Sequence, residues 1–324
     1  MVDRKMDILR ALKGAGKEPI SGEELGEKLG ISRTMVWKYI KTLEEDGYVI
    51  GSSPGSGYVL VSVPDKLYPS EISIGLDTDI IGKELHYFET VDSTNDMAKK
   101  MGFKAEEGTV VIAEMQESGR GRKGDRWVSP KGGIWLSVIL KPGILPVHAP
   151  RLTLMAGVAV VRTIRQFGAD ASIKWPNDVV IDGKKVCGIL TEMDAEVDHI
   201  SFVVIGIGIN ANVSVDELPE ELREGSTSLS SINGENINRA AFVQALLRSL
   251  EAEYLRFKVE GFSKILEDWI SLSDTIGRQV EVITPQKIIA GKATGITAEG
   301  ALIVETAEGM QEVMAGRCIY KINK

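Results

Sequence analysis

From about Ser70 to Ser271, short apolar runs alternate with helical stretches, and several of the runs follow one another with no helix between them. The runs are GTVVIAEM, IWLSVIL, DVVIDGKKVCGILTEM and HISFVVIGIGI. Helical patterning covers Ser93–Met101, Pro150–Phe167 and Arg239–Lys258. Strands that meander in this way fit a mixed α+β sheet better than a doubly wound one. Residues 273–324 read differently, as short strands (QVEVI, IIAGKATGIT, GALIVET, QEVMAG) separated by glycine turns, which predicts a small β-barrel. With 324 residues the chain has room for two or three domains, and we place them at 1–63, 70–271 and 273–324, with Pro64–Pro69 (PDKLYP) as a linker.

The first 63 residues begin with helical periodicity. A helix over Val2–Lys13 sets Met6, Leu9 and Leu12 on one face. Ser21 caps a second helix, with Glu24 three residues on; Gly30 breaks it, and Ser32 caps a third through about Glu45. The segment GYVIGSSPGSGYVLV then supplies two strands around a Gly/Ser/Pro turn, completing a winged helix-turn-helix. In the third helix Val36, Ile40 and Leu43 face inward, which leaves Arg33, Thr34, Trp37, Lys38 and Lys41 outward. A tryptophan among cations is an unusual solvent face but suits a recognition helix in a major groove, so Ser21 to Ile40 reads as a DNA-binding helix-turn-helix. Residues 1–63 nevertheless hold nine Lys/Arg against nine Asp/Glu. A neutral module of this kind also serves for protein contact or dimerisation, and both readings stand at this point.

The bulk figures exclude several classes. No apolar run approaches the roughly 20 residues of a membrane helix, and the start MVDRKMDILRALKG has no signal-peptide core, so a cytoplasmic location is expected. A net charge of −8 argues against nonspecific coating of nucleic acid. Two distant cysteines, Cys187 and Cys318, read as reduced structural thiols. His86, His148 and His199 have no ligand or triad spacing, so no protein-only metal site is expected. The chemistry must rest on other groups.

Two constellations supply them. Gln116-Glu-Ser-Gly-Arg-Gly-Arg-Lys-Gly-Asp-Arg-Trp127 holds three glycines within six residues, and residues 116–131 carry five cations against two acids. Such a loop is mobile, brings backbone N–H groups close to an anion, and can fold guanidinium forks over a polyphosphate. Lys174-Trp-Pro-Asn-Asp178 precedes Gly183-Lys-Lys-Val-Cys-Gly188, and Lys185 opens an apolar strand with its ammonium along a cleft edge, suited to a carboxylate or phosphate oxygen. Ser93-Thr-Asn95 heads a helix, where such residues ordinarily cap. No GxxxxGK[ST] occurs. Gly206-Ile-Gly-Ile-Asn-Ala211 imitates a dinucleotide fingerprint, but the acidic, proline-broken ANVSVDELPEEL after it cannot form the helix that fingerprint requires.

Taken together, Ser93-Thr-Asn95, Gln116 with GRGRKG (119–124) and Trp127, KWPNDV (174–179), GKKVCGIL (183–190) and GIGINAN (206–212) resemble the bifunctional biotin–protein ligase and biotin-operon repressor family, over nearly the whole chain. The resemblance implies a class II synthetase-like central sheet, an SH3-like C-terminal barrel, and an enzyme that makes biotinyl-5′-AMP from biotin and Mg²⁺-ATP and passes biotin to a lysine of a carboxyl carrier protein. It implies that Ser93, Thr94, Asn95 and Gln116 hold the ureido ring, and that Arg120, Gly121 and Arg122 close over the biotin carboxylate and the phosphates. Lys185 would sit on the acyl phosphate; Trp127, Asn177 and Asn210 would line the nucleotide side, and Asp178 would orient the amine or the ribose. It further implies that residues 213–238 cover the adenylate, and that biotinyl-AMP acts as corepressor by promoting a homodimer that binds operator DNA. A carboxylate is already ionised near neutral pH, so adenylation needs no general base, in keeping with the missing His and thiol chemistry. Asp125 stands where many members carry another Arg, which makes this loop less basic. Two alternatives remain: a ligase whose winged helix does not bind DNA, and a lipoate-type acyl ligase on the same fold.

Overall fold

The computed structural model describes residues 4–53 and 56–321. They form two compact units, one running through Ile74 and one from Gly75 onward.

In the first unit, α1 (Arg4–Ala15), α2 (Gly22–Leu29) and α3 (Arg33–Glu45) are followed by the hairpin β1 (Val49–Ser53) and β2 (Gly57–Ser62) and by a short helix α4 (Pro69–Ser73). The caps are where the sequence puts them. Ser21 Oγ accepts from Glu24 N–H at 3.0 Å, Ser32 Oγ from Met35 N–H at 3.2 Å, and Gly30 closes α2 in the left-handed conformation. Helix α1 runs to Ala15, past the expected Lys13; residues 1–3, where it was expected to begin, and residues 54–55 of the wing turn lie outside the described residues. Ile8, Leu9 and Leu12 meet Leu25, Val36, Ile40 and Leu43 in the core, and burying each such side chain stabilises the fold by about 1.5–3 kcal/mol.

The linker reading needs amending. Leu67 is fully buried and Tyr68 stacks on Tyr48 with centroids 6.5 Å apart. Just after it, buried Glu71 takes Lys13 Nζ at 2.6 Å and the Tyr48 hydroxyl at 2.9 Å. Proline content marked the turn, but Leu67, Tyr68 and Ile72 are apolar enough to bury.

The second unit is built on a seven-stranded mixed sheet. In chain order its elements are β3 (Leu85–Val91), α5 (Thr94–Met101), β4 (Val110–Gln116), β5 (Ile134–Leu140), α6 (Pro150–Gln166), β6 (Ser172–Lys174), β7 (Asp178–Ile181), β8 (Lys184–Ala195) and β9 (Ile200–Ile209). The short helices α7 (Glu220–Arg223) and α8 (Leu229–Asn233) come next, then α9 (Arg239–Glu260) and α10 (Phe262–Ser271). The sheet order is β3-β4-β5-β9-β8-β7-β6, with β3 and β4 parallel and every other pair antiparallel. The run DVVIDGKKVCGILTEM is a hairpin and not one strand: Asp182 and Gly183 both have positive φ, +50° and +76°, as a two-residue type I′ turn requires. Side chains alternate across β8, and Thr191 Oγ1 meets Thr153 Oγ1 of α6 at 2.8 Å. Helix α6 therefore covers the face opposite Gly188, Leu190 and Glu192. Helix α5 packs on the other face, against Val111, Ile139, Phe202 and Val204.

The C-terminal segment is a five-stranded antiparallel sheet, β10 (Gln279–Ile283), β11 (Ile288–Ile296), β12 (Leu302–Thr306), β13 (Gly309–Val313) and β14 (Arg317–Tyr320), ordered β13-β12-β11-β10-β14. It is tied to the KWPND segment, since Trp175 N–H donates to Thr275 Oγ1 at 2.9 Å and its indole N–H to Gly300 O at 3.4 Å. Among the described residues no helix is long and apolar enough to cross a membrane.

Candidate active site

A cavity of about 860 Å³ opens on the α5 face of the large sheet, within the usual range for a small-molecule site. Its floor is made by missing side chains. Gly208 of β9 pairs with Gly188 of β8 and with Trp135 of β5, and Gly206 pairs with Ser137. A Cβ on Gly208 would lie 2.4 Å from Trp127 Nε1, and one on Gly206 would lie 2.1 Å from Asn95 Oδ1. The glycines that imitated a dinucleotide fingerprint thus let an indole and an amide lie flat on the strand.

At one end, Thr94, Asn95 and Gln116 join a network of hydroxyl and amide hydrogen bonds that ends on the Glu192 carboxylate, with Ser93 beside it. Ser93 caps α5. Gln116 Oε1 accepts from Thr94 N–H at 2.8 Å and from Thr94 Oγ1 at 3.1 Å, while its Nε2 donates to Ser129 Oγ at 2.8 Å. Ser137 Oγ lies 2.8 Å from Thr94 Oγ1 and 2.6 Å from Asn95 Oδ1; Asn95 Nδ2 reaches Leu190 O at 3.2 Å and Glu192 Oε2 at 2.9 Å. Ser129, Ser137 and Glu192 were not singled out from sequence. Each occupies an ordinary strand or turn position, and only the register β5-β9-β8 brings Ser137 and Glu192 to the helix start.

At the other end are cations. Lys185 Nζ is 2.6 Å from Asp178 Oδ1 and 5.0 Å from the centre of the Trp127 ring. Arg122 is half-buried, and its Nη1 reaches Asn177 Oδ1 and Gly316 O only at 3.5 Å. Burial pulls its guanidinium below the ordinary range, with the Asp178 carboxylate partly opposing that. Arg120 is engaged elsewhere, by Asp96 and Glu192. Asn177 Nδ2 donates to Ile189 O at 2.7 Å and Asn210 Nδ2 to Thr227 O at 3.0 Å, so both brace backbone beside the cavity. Lys174 turns to the Tyr320 ring at 4.5 Å. Every residue named for biotin or nucleotide, from Ser93 through Gly121 to Asn210, lines this one cavity.

From residues 213–238, Leu218, Glu221, Leu222, Gly225 and Ser226 line one wall. Lys185 N–H donates to Gly225 O at 2.8 Å and Thr227 N–H to Lys185 O at 2.9 Å, while Leu218 and Val213 pack with Trp135 beside Trp127 and Val128. Among the described residues one trio, Glu196, Asp198 and His199, gathers three ligand-capable atoms; it is exposed at the β8–β9 turn, far along the strand from Lys185. Within the cavity Asp125, Asp178 and Glu221 contribute carboxylates. Both thiols are buried, and burial pushes Cys318 up to about 11 and Cys187 higher still.

In the first unit Val36, Ile40 and Leu43 are buried while Arg33, Thr34, Lys38 and Lys41 are exposed, as is Trp37 at 51%. Lys41 Nζ sits 2.5 Å from Glu44 Oε2, which partly neutralises it.

Residues 87–210 match the Biotin/lipoate A/B protein ligase family, residues 4–59 an HTH domain, and residues 275–320 the Biotin protein ligase C terminal domain. A bifunctional ligase/repressor BirA of Bacillus spizizenii is 43% identical over 95% of this chain and 96% of its own length. The chain belongs to the bifunctional ligase/repressor family of biotin protein ligases. The ligase/repressor of Escherichia coli is 35% identical over 88% of both chains. A biotin protein ligase from Aquifex aeolicus, solved in complex with biotin and ATP, covers 74% of this chain and all of its own, with a TM-score of 0.66 and 30% identity.

Proposed function

We propose that this chain joins biotin and ATP into biotinyl-5′-AMP in the 860 Å³ cavity and transfers biotin to a lysine of a carboxyl carrier protein, in the cytoplasm. The observation that carries the reading is the pairing, across a glycine floor, of an end lined by the hydroxyls and amides of Ser93, Thr94, Asn95 and Gln116 with an end bearing Arg122 and Lys185. Biotin's neutral ureido ring suits Ser93, Thr94, Asn95 and Gln116, and its carboxylate reaches toward Arg122 and Lys185. A carboxylate oxygen attacks the α-phosphorus of ATP and pyrophosphate leaves. The carrier amine then attacks the acyl carbon, and AMP leaves as the amine gives up its proton. Arg122 and Lys185 neutralise the charge that gathers on the phosphoryl oxygens, in a setting partly removed from water where such contacts count for more. Asp178, 2.6 Å from Lys185, holds that ammonium in place; Gly121, Trp127, Asn177 and Asn210 shape the nucleotide side. Mg²⁺ arrives on the ATP phosphates, consistent with how seldom that ion is caged by protein alone.

In the same reading, α3 with Arg33, Thr34, Trp37, Lys38 and Lys41 reads operator DNA as a homodimer, with biotinyl-AMP as corepressor. The names of the bifunctional relatives favour this over a winged helix without DNA binding.

Exchange of labelled pyrophosphate into ATP tests the enzyme. It should depend on biotin; dependence on lipoate would overturn the substrate, and no exchange would overturn the reaction. A gel shift with promoter DNA should require biotinyl-AMP and weaken with salt. Salt-insensitive or sequence-independent retention would remove the repressor half.

A further inference from the structure

The two arginines of the GRGR loop are held differently, and we propose that Asp96, backed by Glu192, is the anchor of the flap: it fixes Arg120 so that Arg122 alone is left to meet the ligand. The flap is the loop of residues 116–127, and this rests on the reading above, in which its Arg122 meets the biotin carboxylate and the phosphoryl oxygens.

Arg120 Nη2 donates to Asp96 Oδ1 and lies 3.7 Å from Glu192 Oε2. Lys99 Nζ bridges the same two carboxylates, at 3.2 Å from Asp96 and 2.8 Å from Glu192, and Asn95 Nδ2 donates to Glu192 at 2.9 Å. Two acids and two bases thus form one electroneutral cluster, drawn from the flap, the first two turns of α5 and strand β8. The flap is otherwise a hairpin bonded to itself, with Trp127 N–H on Gly119 O at 2.8 Å and Gly121 N–H on Asp125 O at 2.6 Å. Its joint at Lys123 has a φ of +58°. A single pair as exposed as Arg120 and Asp96 would count for little, but Glu192 is half-buried and has a second base and an amide on it. Arg122 has no such partner nearer than 3.5 Å among the described residues. Its charge is therefore available, and that of Arg120 is spent on the protein. Asp96 and Glu192 act through Arg120 and are positioning residues.

The test uses the full chain with Asp96→Asn, Arg120→Gln and both together; Glu192→Gln replaces Asp96→Asn if that variant fails to fold. Two rates are read: tryptic cleavage after Lys123 in the ligand-free protein, and release of biotinyl-AMP made in place. Each single variant should raise both rates by about 2- to 5-fold. The double variant should be no faster than either single one, because all three break the same contact. Single-turnover adenylation in Asp96→Asn, or in Glu192→Gln if that variant is used, should change less than about 2-fold, well under the loss expected of a group that bears transition-state charge. Wild-type cleavage in Asp96→Asn, or multiplying effects in the double variant, would overturn the anchor. So would Arg120→Gln slowing adenylation while Asp96→Asn does not, since Arg120 would then touch the ligand. If the wild type makes no adenylate, the enzymatic reading fails, while the cleavage arm still judges the anchor.

Discussion

Adding one methyl group at either of two glycines on β9 should have opposite consequences. In Gly206→Ala the new Cβ would sit 2.1 Å from Asn95 Oδ1. Asn95 is 4% exposed and fixed by Ser137, Leu190 O and Glu192, so it cannot step aside without losing bonds. Overpacking costs about 1–3 kcal/mol, and each buried hydrogen bond broken adds about 1 kcal/mol. The total is roughly 2–4 kcal/mol, and in a unit of this size each kcal/mol lowers the melting temperature by about 2–4 °C. In Gly208→Ala the Cβ meets Trp127 Nε1 at 2.4 Å. That indole belongs to the flap, and among the described residues its N–H has no hydrogen-bond partner to lose. The flap can lift, so stability should fall by about 1 kcal/mol or less while the Lys185–Trp127 contact is lost and ligand binding suffers. Thermal and urea unfolding of both variants, read beside calorimetric titration with biotin, separates the cases. Equal stability losses, or a Gly206→Ala protein as stable as the wild type, would refute the argument that Asn95 is anchored and Trp127 is movable.

Three further outcomes follow from the same geometry. With Cys318 raised to about 11 and Cys187 above it, neither thiol should react with a disulfide reagent near pH 8 in the native protein, and both should react once unfolded; prompt reaction of either would contradict their burial. Burial pushes the Glu192 carboxyl up, but the Lys99 and Asn95 hydrogen bonds and the Lys99 and Arg120 charges outweigh it, so its folded value lies below the ordinary 4.5. A lowered folded value adds stability above the unfolded value and loses it as pH falls through the folded one. The urea midpoint should therefore decline between about pH 5 and 3, and less steeply in Glu192→Gln; parallel declines would show that the cluster does not matter. On the operator, Lys38→Ala should weaken binding and flatten the log–log salt slope by about 0.9 for a lost phosphate contact, whereas Lys41→Ala should do less because Glu44 already holds that ammonium. Equal effects on the slope would discount that pair.

Where residues act locally, the sequence was a good guide. Ser21 and Ser32 cap the helices they precede, Gly30 ends one, and the inward face of α3 is the one its spacing demands. The motif residues read as loops and strand starts, and the sheet order β5-β9-β8-β7 brings them around one cavity. Contacts made across the sheet were not legible. Glu192 and Ser137 become neighbours of Asn95 only through the β5-β9-β8 register, and nothing in the local composition of either strand marks them. Strands β3 and β14, with their charged or aromatic residues, and helix α10 escaped notice for a related reason: their burial is supplied by partners distant in the chain. Arg239 and Glu114, a buried pair 2.9 Å apart, belong to the same class. The PDKLYP stretch failed in the opposite way, since proline advertised a linker while Leu67 and Tyr68 were packing.

In the proposed reaction Arg122 and Lys185 together stabilise the adenylyl transfer. The most direct measurement is the single-turnover rate of biotinyl-AMP formation, at saturating biotin and ATP, in Arg122→Ala, Lys185→Met and the wild type. The account predicts a loss of about 100- to 1,000-fold for Lys185→Met, with biotin still bound. For Arg122→Ala it predicts a comparable slowing or a leak of the intermediate. Adenylation at the wild-type rate in both variants, with the intermediate retained, would contradict it.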